Sequence, residues 1–405
     1  MATIRPFRAL RPSRESVGRV AAPPYDVVDT AEARAMAADN PDSFLRISRP
    51  EIDLGDVDAH AEEVYARGRS NLAEFIRRGV LTRDDVPGLL VYRQRMGDAV
   101  QTGVVGCATV EEYRDGLIAT HEYTRPDKET DRTRHIDALG VHDEPVFLMY
   151  RPDAPGAGGV ADVVGQVTAG APEYELTVGG VDHTLWRVTD PAQVAAAVAA
   201  FDAIPLLYVS DGHHRCAAAA RVADLRGEAG AREFPCVVFP ADELTILAYN
   251  RVVRDLRGRT SESFLAALAD AFEVEAAPDA PRPGRHQFGV YLDGGWWLLT
   301  ARPGVVGSDP VERLDVSVLT ARVLDPLLGI TDQRTDQRIA FVGGIRGTAE
   351  LERLVDSGEF AVAFALHPTS PGEVMDVADL GEVMPPKSTW FEPKLRSGLF
   401  VHPID

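Results

Sequence analysis

Leu207-Tyr208-Val209-Ser210-Asp211-Gly212-His213-His214-Arg215-Cys216-Ala217-Ala218-Ala219-Ala220-Arg221-Val222-Ala223 decides how the chain is read. It opens as a short apolar run with strand character and closes as an alanine-rich helix. Between them stands a polar knot, Ser210 to Arg215. Asp211 is placed to cap the helix, while Gly212 lets the backbone turn sharply and a ligand come close. The first helical turn then offers unpaired N–H groups beside His213, His214 and Arg215. Backbone, dipole and cation together make an anion site whose natural guest is a phosphate. A capped helix with two surface histidines is the plainer alternative. Two histidines and an arginine at one helix start, however, serve no packing purpose.

A second polar concentration, His121-Glu122-Tyr123-Thr124-Arg125-Pro126-Asp127-Lys128-Glu129-Thr130-Asp131-Arg132, lies between two apolar segments, the later being Pro145 to Tyr150. It reads either as a solvated loop opening a helix, capped near Thr130 or Asp131, or as a loop lending a carboxylate, a hydroxyl and cations to a cleft. Further upstream, Ala21-Ala22-Pro23-Pro24-Tyr25-Asp26 is a stiff corner from which Tyr25 and Asp26 project. Near the other end, Met384-Pro385-Pro386-Lys387-Ser388-Thr389-Trp390 begins a proline- and aromatic-rich tail. That tail docks against something specific, either an oligomer contact or the active site, with Lys387 reaching an anion.

The remaining pattern is an alternation of strands and helices, which predicts an α/β fold. Helices are expected over 31–39, 60–79, 191–200, 263–272, 316–328 and 349–357. The 60–79 helix is amphipathic, with Val64, Leu72, Phe75 and Ile76 on one face. Strands are expected at 44–47, 88–95, 103–110, 166–168, 174–178, 185–188, 235–240, 287–292, 296–300, 339–342 and 361–366. A loop is expected over 152–159, and the Pro/Ala-rich 276–285 segment is a candidate boundary. The expected division is an N-terminal α/β segment over 1–84, a phosphate-binding core over 85–275, and a C-terminal α/β domain with its tail over 286–405.

The chain has 405 residues, an apolar fraction of 45%, and 42 basic against 62 acidic side chains, a net charge of −20. The apolar fraction is that of a globular protein and argues against disorder. Such a charge repels a polyanion, so a nucleic-acid partner is not expected, whereas a small anion in one pocket is compatible. Neither a membrane-length apolar span nor a secretory leader is read. The three cysteines, Cys107, Cys216 and Cys236, lack metal-ligand spacing and fit a reducing cytoplasm. The two polar concentrations together suit phosphoryl transfer, with one carboxylate taking the acceptor's proton. No Walker loop, dinucleotide fingerprint, nucleophile elbow or His-Glu-x-x-His is present. Adjacent His213 and His214 diverge on a helix and cannot chelate one metal, although magnesium bridged by phosphates, with Asp211 the carboxylate nearest it, fits.

The chain resembles the prokaryotic domain-of-unknown-function 1015 family in Ala22-Pro23-Pro24-Tyr25-Asp26-Val27, Asn40-Pro41, His121-Glu122-Tyr123-Thr124, Asp211-Gly212-His213-His214-Arg215 and Met384-Pro385-Pro386-Lys387-Ser388-Thr389. Its Asp-Gly-His-His-Arg element is similar to the nucleotide-binding motif of the ParB/sulfiredoxin superfamily, some members of which are free-serine kinases. The resemblance implies a ParB/sulfiredoxin-like core and a small-molecule kinase that phosphorylates L-serine to O-phospho-L-serine. The donor would be ADP, ATP or pyrophosphate, with Mg2+. Asp211, Gly212, His213, His214 and Arg215 would then hold the donor phosphates, helped by Thr124, Lys128 and Arg132, with Asp211 and His213 also in the catalytic set and Glu122 as the base. Tyr25, Asp26, Arg93 and Lys387 are candidate substrate contacts, and a homodimer is the candidate assembly. A ParB-like nucleotide-dependent binding protein, or a nucleotide sensor without turnover, is the alternative. Cys216 follows the motif instead of sitting inside it, unlike the reactive cysteine of sulfiredoxins.

Overall fold

The computed structural model describes residues 2–405 as a mixed α/β protein. It divides into two compact units, one running to Leu244 and completed by Pro393–Asp405, the other spanning Thr245–Glu392.

The first unit is built on an eight-stranded mixed sheet. In chain order its strands are β1 Leu89–Met96, β2 Ala99–Thr109, β3 Ile118–Ala119, β4 Val146–Tyr150, β5 Tyr174–Val178, β6 Val181–Val188, β7 Leu207–Asp211 and β8 Glu233–Pro240. Across the sheet they lie in the order β3-β7-β4-β8-β2-β1-β6-β5. β7 is parallel to β3 and antiparallel to β4, and β8 is parallel to β4. The core gathers Val91, Val104, Leu148, Phe201, Val209, Cys216 and Val238, each at most 2% exposed. The strands from Leu207 and Glu233 and the helix His213–Arg226 are close to where the sequence pattern puts them.

Residues 393–405 close this unit. Leu10 and Val401 exchange backbone hydrogen bonds at 2.9 and 3.0 Å, as do Ala22 and Ser397 at 3.1 and 2.9 Å. His402–Pro403 pairs antiparallel with Val141–His142. A Cβ on Gly398 would stand 2.7 Å from the Phe44 ring, so only glycine lets this strand pass.

Several expectations change. Phe44 to Ile47 does not form a strand; Leu45–Ser48 is a helical turn. Four apolar residues cannot distinguish the two states, and Arg46, donating to the Ala37 and Asn40 carbonyls, fixes the turned path. Residues 166–168 end a helix, Ala157–Thr168, whose buried Val160, Val163 and Val167 follow helical spacing, so the 152–159 loop also ends early. Ile76 is 44% exposed and lies off the buried face of Glu62–Arg77. The 263–272 helix stops at Leu268, and Phe272 already begins a strand.

The second unit carries a six-stranded antiparallel sheet of Phe272–Ala277, Gly295–Ala301, Gln287–Leu292, Val362–Leu366, Tyr249–Val253 and Ile339–Gly343, in that spatial order. The expected boundary at 276–285 is instead a connection inside this sheet, because Tyr249–Val253 pairs with strands on both of its sides. The helix Gly347–Asp356 covers one face through fully buried Leu351. The expected 316–328 helix is a short turn, Asp315–Leu319, continued as a wider π-type turn to Leu324.

Candidate phosphate-binding site

Strand direction brings the two polar concentrations together. β3 and β7 run the same way, Leu207 beside Ile118 and Tyr208 beside Ala119. The chain therefore leaves both at one edge of the sheet, into residues 120–125 and into Gly212. β4 runs oppositely, so its lead-in, Asp143-Glu144-Pro145, arrives at that same edge.

Gly212 has a φ of 108°, and a Cβ there would lie 3.0 Å from Arg215 Nε. Left-handed backbone and crowding both require glycine. Gly212 itself occupies the cap position, and no side chain caps the helix, so the capping expected of Asp211 is not made. Asp211 instead ends β7 with its carboxylate accepting from Lys394 Nζ at 3.1 Å and 3.6 Å from Arg215 Nη2. Burial resists its ionisation, but Lys394 and then Arg215 hold it well below the usual carboxylate range.

The histidines act as clasps. His213 Nε2 accepts the N–H of His121 at 3.3 Å, and His214 Nε2 accepts that of Arg125 at 3.0 Å. An accepting Nε2 is unprotonated, so these partners assign the remaining proton of each neutral ring to Nδ1. Burial lowers the pKa of both, and that of His121, edge-on to His213 at 4.5 Å, to about 4. Both imidazoles are thus uncharged near neutral pH. Positive charge comes from Arg215 and from Lys394.

Glu122, exposed, stands between the two clasped residues. The helix that follows begins at Pro126, not near Thr130, so Lys128, Asp131 and Arg132 lie on it. Thr124 donates its hydroxyl to Glu129. Lys128 is half-buried and close enough to His214 to oppose its protonation. Arg132 is buried and turned inward. It is bonded to Asp131 at 2.8 and 2.9 Å and lies 4.0 Å over the Tyr25 ring, and its Nη1 has no partner. Arg132 therefore supports the site from behind instead of meeting a donor in a loop.

The Pro23-Pro24-Tyr25-Asp26 corner joins this cluster. The Tyr25 N–H donates to Glu144 Oε1 at 2.9 Å, and the exposed Asp26 carboxylate, together with Asp211 and Glu144, keeps buried Arg215 charged against the cost of its burial. Arg215 also donates to the Pro145 carbonyl. Glu144 is shared with Ser397 Oγ at 2.8 Å. Burial, then Asp143, pushes its carboxyl up to about 7. Arg132, His142, Glu144 and Arg215 line a cavity of about 10 Å3, room for about one water.

Arg93 and Lys387 have other partners. Arg93 bonds Thr102 Oγ1 at 3.0 Å and covers Trp186, on the sheet face opposite to Gln94, whose Nε2 donates to the Lys394 carbonyl at 2.8 Å. Lys387 belongs to the second unit, where its Nζ lies 5.5 Å above the Tyr249 ring. Reading the residues missed Glu144 and Lys394. Glu144 had a signal, Asp143-Glu144-Pro145 directly before an apolar strand. Lys394 carries no such signal, being one of two lysines in the tail, with Lys387.

The family model "Protein of unknown function (DUF1015)" matches residues 4–317, most of the chain. The chain belongs to the DUF1015 family. No curated protein sequence matches it. Among solved structures, free serine kinase in complex with AMP is similar at a TM-score of 0.36 and 15% identity, over 71% of this chain and 86% of that one. SbnI with C-terminal truncation from Staphylococcus aureus is similar at 0.38 and 12%, over 72% and 85%. A conserved hypothetical protein from Pyrococcus furiosus is similar at 0.33 and 15%, over 71% and 90%. Likeness of this degree leaves the activity of this DUF1015 chain to be argued from its own residues. All three cysteines are free and buried, and among the described residues no helix is long and apolar enough to cross a membrane.

Proposed function

We propose that this DUF1015 protein is a small-molecule kinase that phosphorylates free L-serine with a nucleotide or pyrophosphate donor. The observation that carries this reading is the pair of clasps from His213 and His214 to the backbone at His121 and Arg125. They hold Glu122 one residue from the first bond and three from the second, at the start of the helix whose N–H groups and Arg215 suit a phosphate.

In this reading the donor's terminal phosphate sits on the first turn of His213–Arg226. Arg215 and Lys394 offset its charge, and the neutral Nδ1–H groups of His213 and His214 donate without adding charge. Glu122 accepts the serine hydroxyl proton as the oxygen attacks phosphorus. The bond from phosphorus to the donor's bridging oxygen breaks, releasing AMP from ADP, ADP from ATP or phosphate from pyrophosphate. Asp211 is a poor resident ligand for magnesium, because Lys394 and Arg215 already hold it. No step is assigned to a metal bound there.

The test is phosphoserine formation from L-serine across ADP, ATP and pyrophosphate with magnesium. We expect turnover with at least one donor and a loss of 100-fold or more in Glu122→Gln. Unchanged activity in that variant removes Glu122 as base. Donor binding without turnover on any amino acid favours the sensor reading.

A further inference from the structure

Outside the phosphate cradle, three potential metal ligands converge from separate elements. Cys107 lies near the end of β2, Glu233 begins β8, and His402 belongs to the strand that pairs with Val141–His142. Their ligand atoms, a thiol sulfur, a carboxylate oxygen and a ring nitrogen, all lie within 4.8 Å of one another. Cys107 is fully buried and His402 is 6% exposed.

The state of His402 makes this more than a chance cluster. Its Nε2 faces the Gly230 carbonyl at 3.3 Å, and a carbonyl only accepts, so Nε2 carries the proton. Nδ1 is then a bare lone pair. It is buried and has no hydrogen-bond partner. A ring in a cluster with a thiol and a carboxylate, one nitrogen fixed by a carbonyl and the other buried without a partner, is held as metal-ligating histidines are. His142, stacked on His402 at 6.0 Å, and Phe7, edge-on at 5.5 Å, hold that orientation.

We infer that Cys107, Glu233 and His402 form a binding site for a single divalent zinc ion. Sulfur, nitrogen and carboxylate oxygen in a three-residue set are zinc's ligand types, with a fourth tetrahedral position left for water. Tetrahedral ligands at zinc stand about 3.3–3.8 Å apart, so atoms that lie within 4.8 Å of one another need close by no more than about 1.5 Å on binding. Two exchanges accompany this. The Cys107 thiol loses its proton to solvent as the zinc–sulfur bond forms. The Glu233 carboxylate leaves Arg5, its 2.8 Å partner, whose side chain is 53% exposed and regains water. The ion would tie residues 393–405, and with them Lys394, to the central sheet.

The test uses the full chain, stripped of metal under reductant and titrated with zinc against a chromophoric chelator. We expect one equivalent bound, one proton released per ion, a rise in melting temperature with zinc, and binding weakened at least 100-fold in His402→Gln and in Cys107→Ser. Cobalt on the unaltered chain supplies a readout independent of variant folding, a thiolate-to-metal absorption band. No stoichiometric binding, a cobalt spectrum without that band, or variants that bind as tightly as the parent overturns the assignment.

Discussion

Arg215 in the first unit and Arg251 in the second are both buried, at 7% and 0% exposure, yet their surroundings are opposite. Arg215 is ringed by Asp211, Asp26 and Glu144, which raise its pKa against the cost of burial. Among the described residues no carboxylate acts on Arg251. It donates to the carbonyls of Tyr249, Pro386 and Lys387, covers Phe341 at 5.4 Å, and leaves its Nε without a partner. Burial pulls its pKa below the ordinary arginine value. The first is a charge maintained by other charges, which an incoming anion can share. The second is a pin that fixes the Pro386–Lys387 segment through backbone oxygens. A buried arginine marks a site only when its neighbours keep it charged.

The comparison is most exposed to removing Arg215. Arg215→Met leaves Asp211 with Lys394 alone and takes from Glu144 one of the two cations that face it. We expect a loss of about 3–5 kcal/mol in denaturant unfolding, as when one partner of a buried ionic cluster is removed. Phosphoserine formation should vanish with it. A loss below about 1 kcal/mol would mean that the carboxylates around Arg215 do not depend on it.

Glu144 tests the same cluster through pH. Its folded pKa is raised to about 7, from an ordinary value of 4.5, chiefly by burial. The folded state therefore holds a proton that the unfolded state has released. The stability contributed by this group is fully present below about pH 4.5 and is lost as pH rises to about 7. Glu144→Gln mimics the protonated carboxyl, so its stability relative to the parent should improve by about 2–3 kcal/mol between pH 4.5 and 8. Parallel pH curves for the two proteins would show that Glu144 ionises normally in the fold.

In the second unit the effect should be smaller. Arg251→Met removes an unpaired charge and fills most of the same space, leaving three carbonyls to find water or other donors. We expect a net cost of about 1–2 kcal/mol by thermal or denaturant unfolding. A cost equal to that of Arg215→Met would erase the distinction between the two arginines.

How much of this was legible in the sequence follows from the range of the interactions involved. Ser210 to Ala223 declares a strand, a turn and a helix because propensity and glycine geometry act over a few residues. Ser370-Pro371-Gly372-Glu373 carries an equally local signal, a capping box opening the Pro371–Asp379 helix. Phe44 to Ile47 has strand composition yet turns, because so short an apolar run is decided by what packs on it. The meeting of His121–Arg125 with His213–His214 rests on parallel pairing across about 90 residues, which no local pattern encodes. The buried network of Glu144, Arg132 and Tyr25 is likewise set by tertiary contact, and so is the burial that keeps His213 and His214 neutral.

The smallest effect on stability belongs to Lys394, and it discriminates most finely. Its ammonium is 21% exposed and meets an Asp211 carboxylate that Arg215 also serves, so the pair resembles a partly screened ion pair more than a buried one. Lys394→Met should cost less than about 1 kcal/mol in unfolding. Its backbone ties remain, since the Lys394 carbonyl still accepts from Gln94 and Ser397 still bonds Ala22. If charge at this edge serves an anion, the same change should weaken pyrophosphate binding by about tenfold, one unit of charge at a shared contact. Lys394→Arg should restore most of that. A binding loss without a stability loss places Lys394 with Arg215 as a charge available to a ligand. The reverse pattern would make it, like Arg251, a pin that holds its segment to the fold.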